Sequence, residues 1–196
     1  MALTSLMGTE ELSKEQDIDL IRRYLATKDA RHFTELYRRY SGKVYGKCIS
    51  LLREEYLARD AAQDIFMKIF LNLGQFAEQA KFSTWVYSIT YNYCIDVIRK
   101  KKKSGDIFSD EMERLPDTVD EVNDEALLTM RSDRLRVVLD TIPIGDKTIL
   151  LMKYQDDLQI KEIAAMLDKT ESAIKMKIKR AKHKAKMLHD ELFPDE

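Results

Sequence analysis

Two stretches of the sequence carry side chains suited to holding nucleic acid. The first covers residues 82–103, begins near the only tryptophan, Trp85, and ends in an unbroken run of cations at residues 99–103. Cations clustered at one end of a helix can neutralise phosphates, while polar and aromatic groups beside them can meet bases. An equally open alternative is a core helix whose lysines are solvated and are favoured by the C-terminal helix dipole.

The second stretch, residues 158–188, has the pattern of a helix-turn-helix. A helix predicted over residues 160–167 ends at a tight turn, Asp168-Lys169, and Thr170 is suited to the N-cap of the helix that follows. That second helix is predicted to bury Ile174, Ile178 and Ala181 and to expose the cations Lys175, Lys177, Lys179, Arg180, Lys182, Lys184 and Lys186. This pattern favours DNA binding over a helical hairpin with a solvated lysine face.

No catalytic motif accompanies these cations. The sequence has no HExxH, GxGxxG or P-loop pattern, and its three histidines have no partner at a catalytic spacing. Two of them, His183 and His189, are expected on an exposed basic helix. Cys48 and Cys94 fall in apolar helical patterns without CxxC spacing, which predicts buried, reduced thiols. We therefore expect no enzyme, no cofactor and no metal site.

The composition predicts that both stretches lie in a helical protein. The chain has 196 residues, 34% of them charged, with only six glycines and three prolines, and its net charge is −1. Apolar periodicity predicts helices over residues 17–25, 30–52, 56–73 and 82–103, and four helices around one core are the economical arrangement. The first residues resemble neither a signal peptide nor a membrane span, so we expect no membrane insertion.

The third helix is predicted to have a buried side and an exposed side. Its core residues are expected to be Ala58, Ala61, Ala62, Ile65, Phe66, Ile69 and Phe70. Its exposed side brings together Asp60, Gln63, Asp64 and Met67 in one compact patch, which taken alone is most simply a solvated surface. Gly74 is expected to end this helix as a C-cap residue. The fourth helix is predicted to bury a stripe formed by Val86, Ile89, Tyr93 and Val97.

The composition changes after the cation run. Residues 104–124 are rich in Asp and Glu, contain Pro116 and lack periodic apolar residues, which is typical of an extended linker between two domains. Helical periodicity resumes over residues 126–142 and stops at Pro143. A short helix is predicted next, over residues 146–154.

Four segments together carry a family resemblance. They are FTELYRRY at residues 33–40, DAAQDIFMKIF at 60–70, FSTWVYSITYNYCIDVIRK at 82–100 and LQIKEIAAMLDKTESAIKMKIKRA at 158–181. In this order they resemble the extracytoplasmic-function group of sigma factors, in the sigma-70 family of bacterial transcription initiation factors. Each segment alone is a weak signal, whereas four in the family's order, split by an acidic linker, are specific.

The resemblance implies an all-α fold with two domains. Residues 10–103 would form a four-helix region-2 domain, which in the family binds the clamp of core RNA polymerase and opens the promoter −10 element. Residues 104–124 would be the acidic flexible linker. Residues 125–192 would form a helix-turn-helix region-4 domain, which reads the −35 element and touches the polymerase flap. The implied function is a transcription initiation factor without enzymatic activity of its own.

The resemblance also assigns roles to residues. Polymerase binding would fall on the exposed patch, at Asp60, Gln63 and Asp64. Recognition of the −10 element would fall on Gly74, Gln75, Phe76, Lys81, Asn92, Arg99, Lys100 and Lys101. Recognition of the −35 element would fall on Ser172, Lys175, Met176, Lys179 and Arg180. Asp168 stands where the family usually has a turn glycine, and Met176-Lys177 replaces a frequent Ser-Arg pair.

The implied partners are core RNA polymerase, promoter DNA and an anti-sigma factor, in the cytoplasm. A second interpretation of the sequence is a free-standing helix-turn-helix regulator, which would bind duplex DNA without polymerase and usually as a dimer. A third interpretation is a helical scaffold whose lysine runs serve only to keep its surface solvated. Co-purification with core polymerase would separate the first interpretation from the other two.

Overall fold

The computed structural model describes residues 12–102 and 130–194, and within these ranges every regular element is a helix, as predicted. The chain divides into two compact units between Ile98 and Arg99. The predicted acidic linker, residues 104–124, lies outside the described residues. So do residues 126–129, the start of the helix predicted after the linker.

Four helices build the N-terminal unit, the last of them with its residues up to Ile98: α1 (Asp17–Thr27), α2 (Ala30–Leu52), α3 (Glu55–Asn72) and α4 (Phe82–Lys102). Their ends lie within two residues of the predicted ends. Asp29 caps α2, because its side chain accepts the backbone N–H of Arg31 at 3.0 Å. The α2 helix packs against both α1 and α3.

The core of this unit is apolar and draws on all four helices. Its fully buried side chains include Leu20, Leu36, Val44, Ile65, Ile69 and Val86. Phe70 was predicted to be buried but is 43% exposed. Its ring lies on the edge of the core against Phe33 and Tyr24, with centroid distances of 5.0 and 6.0 Å, so one face remains open to solvent.

The prediction of a buried stripe on α4 is wrong, because the buried residues follow a different register. Val86 is buried, but the other three predicted members, Ile89, Tyr93 and Val97, are only partly covered. The buried positions are instead Phe82, Thr84, Val86, Thr90, Tyr91, Cys94, Ile95 and Ile98. A buried threonine is tolerated here because the Thr90 hydroxyl donates to the Val86 carbonyl at 2.8 Å. Periodicity counted on apolar residues alone misses such a position.

Cys48 of α2 and Cys94 of α4 are both buried and both reduced, as predicted. The Cys94 thiol donates to the Cys48 sulfur at an Sγ–Sγ distance of 3.8 Å. This hydrogen bond, together with burial, raises the pKa of the Cys94 thiol. The pair therefore behaves as two small apolar side chains that join α2 to α4.

Gly74 does not cap α3 in the way predicted. The helix passes through Leu73, which has right-handed backbone angles, into a 3₁₀ turn over Leu73–Gln75. No glycine in the described part of the chain has a positive φ. The Leu73 side chain is buried and holds the turn against the core, so a left-handed cap is not needed.

The C-terminal unit contains α5 (Ser132–Thr141), α6 (Ile144–Leu150), α7 (Ile160–Leu167) and α8 (Glu171–Leu192). A π-helical turn, Leu151–Gln155, extends α6, which was predicted as one helix over residues 146–154. α5 begins later than predicted, because Met130 and Arg131 are not helical. The long α8 packs against α5, α6 and α7.

The turn between α7 and α8 follows its prediction closely. Asp168 adopts a left-handed conformation, with φ 52° and ψ 50°, which aspartate tolerates better than most residues. The Thr170 hydroxyl accepts the backbone N–H of Ala173 at 3.2 Å and caps α8. Ile174, Ile178 and Ala181 are buried as predicted. The two helices therefore form a helix-turn-helix.

Two leucine substitutions test which side of the N-terminal bundle carries its stability. Leu36 is 2% exposed and Leu71 is 69% exposed. Leu36→Ala should lower the free energy of unfolding by about 2–5 kcal/mol, since it removes buried carbon and leaves a cavity. Leu71→Ala should change it by less than about 0.5 kcal/mol. Urea denaturation followed by circular dichroism measures both, and equal losses would contradict this assignment of the core.

Candidate functional site

The predicted patch on α3 is exposed. Asp60, Gln63, Asp64 and Met67 all face solvent, opposite the buried Ala61, Ile65 and Ile69. Positions separated by three or four residues lie on one side of a helix, so two carboxylates, an amide and a thioether form one continuous surface. Its chemistry suits a partner that offers cations beside an apolar patch.

Asp64 also takes part in a contact within the unit that the sequence analysis missed. The Tyr93 hydroxyl of α4 donates a hydrogen bond to the Asp64 carboxylate. This bond, more than burial, raises the pKa of Tyr93 to about 12. The Lys68 ammonium lies 4.8 Å from the centroid of the Tyr93 ring. The α3 patch is thereby fixed to the helix that carries the cation run.

The loop that joins α3 to α4 is anchored at two points. Phe76 packs on Phe82 and Trp85, with both centroid distances 5.5 Å. Glu78 has a positive φ of 57° and forms an ion pair with Arg22 of α1 at 2.5 Å. Gly74, Gln75 and Lys81 remain exposed between and beside these anchors. The loop therefore presents polar groups from a fixed backbone.

A cavity of about 520 Å³ opens beside this loop. Its wall includes the aromatic rings of Phe76 and Phe82, the Lys81 side chain and the polar residues Gln16, Asp17 and Arg39. Arg39 is ordered by ion pairs to Asp17 at 2.6 Å and to Glu35 at 2.8 Å. A space of this size, with aromatic walls and a few ordered polar groups, can hold a small planar ring.

Along α4, the remaining predicted DNA-binding residues are exposed. Asn92, Arg99, Lys100 and Lys101 all face solvent. Trp85, by contrast, is partly covered and stacks on Phe82 at 5.7 Å. Trp85 thus packs against the rings that anchor the loop.

The cations of α8 are less exposed than the sequence suggests. Ser172 and Lys175 are exposed, while Met176, Lys179 and Arg180 are partly covered. Lys182 is buried, and Lys177 and Lys184 form ion pairs with a buried carboxylate, Asp146. His189, expected on an exposed surface, is buried, and His183 is partly covered. The surface predicted to read the −35 element therefore exposes fewer cations than the sequence of α8 contains.

Comparison with known proteins identifies the family. Residues 36–104 match the family model for sigma-70 region 2, and residues 132–184 match that for sigma-70 region 4. The ECF RNA polymerase sigma factor SigW of Bacillus subtilis is 30% identical over 164 residues, which cover 79% of this chain and 87% of SigW. SigM of the same organism is 25% identical over 162 residues, 83% of this chain and 98% of SigM.

Two solved structures share the fold. A structure of CnrH in complex with the cytosolic domain of CnrY has a TM-score of 0.61 at 19% identity, covering 93% of this chain and all of that one. The sigma factor RpoE in complex with the anti-sigma factor NepR, from Bartonella quintana, has a TM-score of 0.57 at 17% identity, covering 84% and 98% of the two chains.

The chain belongs to the sigma-70 family of RNA polymerase sigma factors, in its ECF group. It is a transcription initiation factor that directs RNA polymerase to promoters, so its partners are core RNA polymerase and promoter DNA. This membership excludes the free-standing regulator and the helical scaffold. Among the described residues, no helix is long and apolar enough to span a membrane.

The hydrogen bond between Tyr93 and Asp64 can be tested by titration. Asp64→Asn removes the charged acceptor, so the pKa of Tyr93 should fall from about 12 towards the ordinary value near 10. Nuclear magnetic resonance of ring-labelled tyrosine measures it. Asp60→Asn removes the same charge one turn earlier on α3 and should leave the Tyr93 titration unchanged. An unchanged pKa of Tyr93 in the Asp64→Asn variant would contradict this hydrogen bond.

Proposed function

We propose that the two units divide promoter recognition between them. The N-terminal domain predicted from the sequence, residues 10–103, binds the polymerase clamp and opens the −10 element. The predicted C-terminal domain, residues 125–192, reads the −35 element through α8 and contacts the polymerase flap. The acidic segment 104–124 links the two. The observation that carries this proposal is a helix-turn-helix whose second helix buries one side and exposes Ser172 and Lys175 on another.

The polymerase contact falls on the α3 patch of Asp60, Gln63 and Asp64. These side chains are exposed on a helix whose opposite side is core, so they are available to a partner without disturbing the fold. Carboxylates on such a surface complement a basic protein surface, which increases both specificity and the rate of association. Met67 adds an adaptable apolar contact beside them.

Opening of the −10 element falls on the loop and on α4. Unstacking and unpairing a base costs a few kcal/mol, and a protein offsets this cost by holding the displaced base and by neutralising phosphates. The cavity beside Phe76 supplies a ring-sized space with aromatic walls. Lys81, Arg99, Lys100 and Lys101 supply exposed cations, and Asn92, Gln75 and Gly74 supply polar groups and close backbone approach.

Reading of the −35 element falls on the N-terminal half of α8. In helix-turn-helix proteins the first turns of the second helix enter the major groove. Ser172, Lys175, Met176, Lys179 and Arg180 lie within the first ten residues of α8. Lysine and arginine there can reach guanine O6 and N7 or the flanking phosphates.

The remaining parts of the proposal concern partners and location. The chain works in the cytoplasm with core polymerase, which performs all covalent chemistry. An anti-sigma factor is a further partner, as it is for RpoE in its complex with NepR. Run-off transcription with purified core polymerase on genomic promoter fragments tests the function as a whole, since a chain that gives no promoter-dependent transcripts would overturn it.

A double charge reversal tests the polymerase contact. Asp60→Lys with Asp64→Lys places like charges against a basic partner, which costs several kcal/mol. We expect affinity for core polymerase to fall at least about 100-fold in a pull-down titration, while circular dichroism shows a folded chain. Normal polymerase binding by that folded variant would remove the clamp assignment.

The internal role of Asp64 requires a matched control. Tyr93→Phe removes the hydrogen bond to Asp64 but keeps both patch carboxylates. This variant should bind core polymerase nearly as well as the wild type, because the contact depends on the charges. If Tyr93→Phe lost polymerase as completely as the double reversal did, the effect would come from the packing of α3 on α4.

Substitution in α8 tests the −35 assignment. Lys175→Ala removes an exposed cation in the second turn of the helix. If Lys175 contacts a base, the change should cost about 1–3 kcal/mol and relax the preference at one position of the −35 element. Lys186→Ala removes an exposed cation three turns later and should leave that preference intact. Selection of promoter variants by each reconstituted holoenzyme measures both, and an unchanged preference in the Lys175 variant would argue against α8 as the reader.

A further inference from the structure

A buried carboxylate in the C-terminal unit holds two cations of α8. Asp146 lies in the first turn of α6 and is 1% exposed. Its Oδ1 atom is 3.1 Å from the Lys177 ammonium, and its Oδ2 atom is 3.2 Å from the Lys184 ammonium. The two lysine side chains are correspondingly withdrawn from solvent, at 13% and 25% exposed.

The spacing of the two lysines gives this contact a mechanical consequence. They are seven residues apart, so they lie on the same side of α8, two turns and about 10 Å apart along its axis. The Asp146 carboxylate lies between the two ammonium groups and contacts both, so it opposes sliding of α8 along its axis. Because both lysines lie along one line of the helix, the contact also opposes rotation.

A buried charge of this kind is stable only in a narrow range of geometries. A carboxylate removed from water is tolerated only when cations or donors compensate it, and removal of one partner is strongly destabilising. α8 is therefore stable in the one setting that brings both ammonium groups to Asp146. The apolar contacts of Ile174, Ile178 and Ala181 fix the same side of the helix less strictly, since they have no directional preference.

The reading surface of α8 lies on another side. At 3.6 residues per turn, Lys175 is about 200° round the helix from Lys177. A rotation of α8 that carried the lysines away from Asp146 would turn Ser172 and Lys175 by the same angle. Base recognition depends on the placement of such side chains at the base edges. The rotation of α8 about its axis therefore determines whether Ser172 and Lys175 reach those edges.

We propose that Asp146 is a positioning residue for promoter recognition, which sets α8 in the major groove and keeps Lys177 and Lys184 from the DNA phosphates. This inference rests on the proposed reading of the −35 element by α8. It divides the cations of α8 into two groups. Lys175 and Lys179 face DNA, whereas Lys177 and Lys184 face the protein.

The main test measures discrimination by the reconstituted holoenzyme. The probes are a promoter fragment enriched from genomic DNA by the wild-type holoenzyme and the same fragment with its −35 element scrambled. Asp146→Asn should reduce the ratio of the two affinities by roughly tenfold, the loss expected for about one base contact. A merely less stable domain would lower both affinities by the same factor, so an unchanged ratio would overturn the positioning role.

Asp140→Asn is the matched control. Asp140 of α5 pairs with the buried Lys147 of α6 at 2.7 Å, so this substitution also turns a paired carboxylate into an amide, but the ion pair that it weakens joins α5 to α6. It should leave the discrimination ratio unchanged. An equal loss of discrimination in the Asp140 variant would show that any weakening of this unit has the same effect, and would overturn the proposal.

A triple variant tests whether Lys177 and Lys184 contact DNA, and this test does not require that Asp146→Asn folds. Asp146→Asn with Lys177→Met and Lys184→Met removes all three charges together. Each lysine that neutralises a phosphate contributes about 0.9 to the slope of log affinity against log salt. We expect the triple variant to have the same slope of log affinity against log salt as the wild type. A slope lower by about two would place both lysines on DNA and overturn the proposal.

Lys175→Ala separates this inference from the function on which it rests. If Lys175→Ala leaves discrimination intact, α8 is not the reader and the proposed function fails. If Lys175→Ala reduces discrimination and Asp146→Asn does not, the proposed function stands and only the positioning role is wrong.

Discussion

The burial of one side of α4 determines what its other side can do. Val86, Tyr91 and Cys94 are completely buried, and their packing fixes the rotation of the helix in the bundle. Asn92 and Arg99 then lie on the exposed side of the helix. The same helix carries Phe82 at its start, where the ring holds Phe76 and with it the loop. Apolar packing therefore places both parts of the proposed −10 surface.

Polar contacts add the precision that apolar packing lacks. In the N-terminal unit the Tyr93–Asp64 hydrogen bond joins α4 to the α3 patch. The raised pKa of Tyr93 means that this contribution to stability is complete below the ordinary tyrosine pKa and is lost as pH rises towards about 12. In the C-terminal unit the Asp146 contacts serve α8 in a similar way. Each unit thus combines a non-directional apolar core with a directional polar contact next to its proposed binding surface.

The sequence predicted much of the fold, because helix boundaries depend on local signals. Asp29 and Thr170 cap their helices by contacts within three residues, and α2, α7 and the start of α8 fall where these signals put them. The errors concern side-chain environment. Thr90 is buried because it bonds its own helix, and Lys177 is covered because of Asp146, 31 positions earlier. The partner of Lys177 is distant in sequence, so no local pattern indicates it, and a count of apolar residues alone does not include Thr90.

Charge placement explains how a nearly neutral chain can meet both polymerase and DNA. A net charge of −1 produces little long-range attraction to nucleic acid, so affinity for DNA must come from local groups. The structure limits those groups further, since Lys182 is buried and Lys177 and Lys184 are paired. If α8 reads the −35 element as proposed, few of its cations contribute to sequence-independent binding, and a larger share of its affinity depends on base contacts. In this proposal, discrimination between promoters increases because the fold keeps some cations away from DNA.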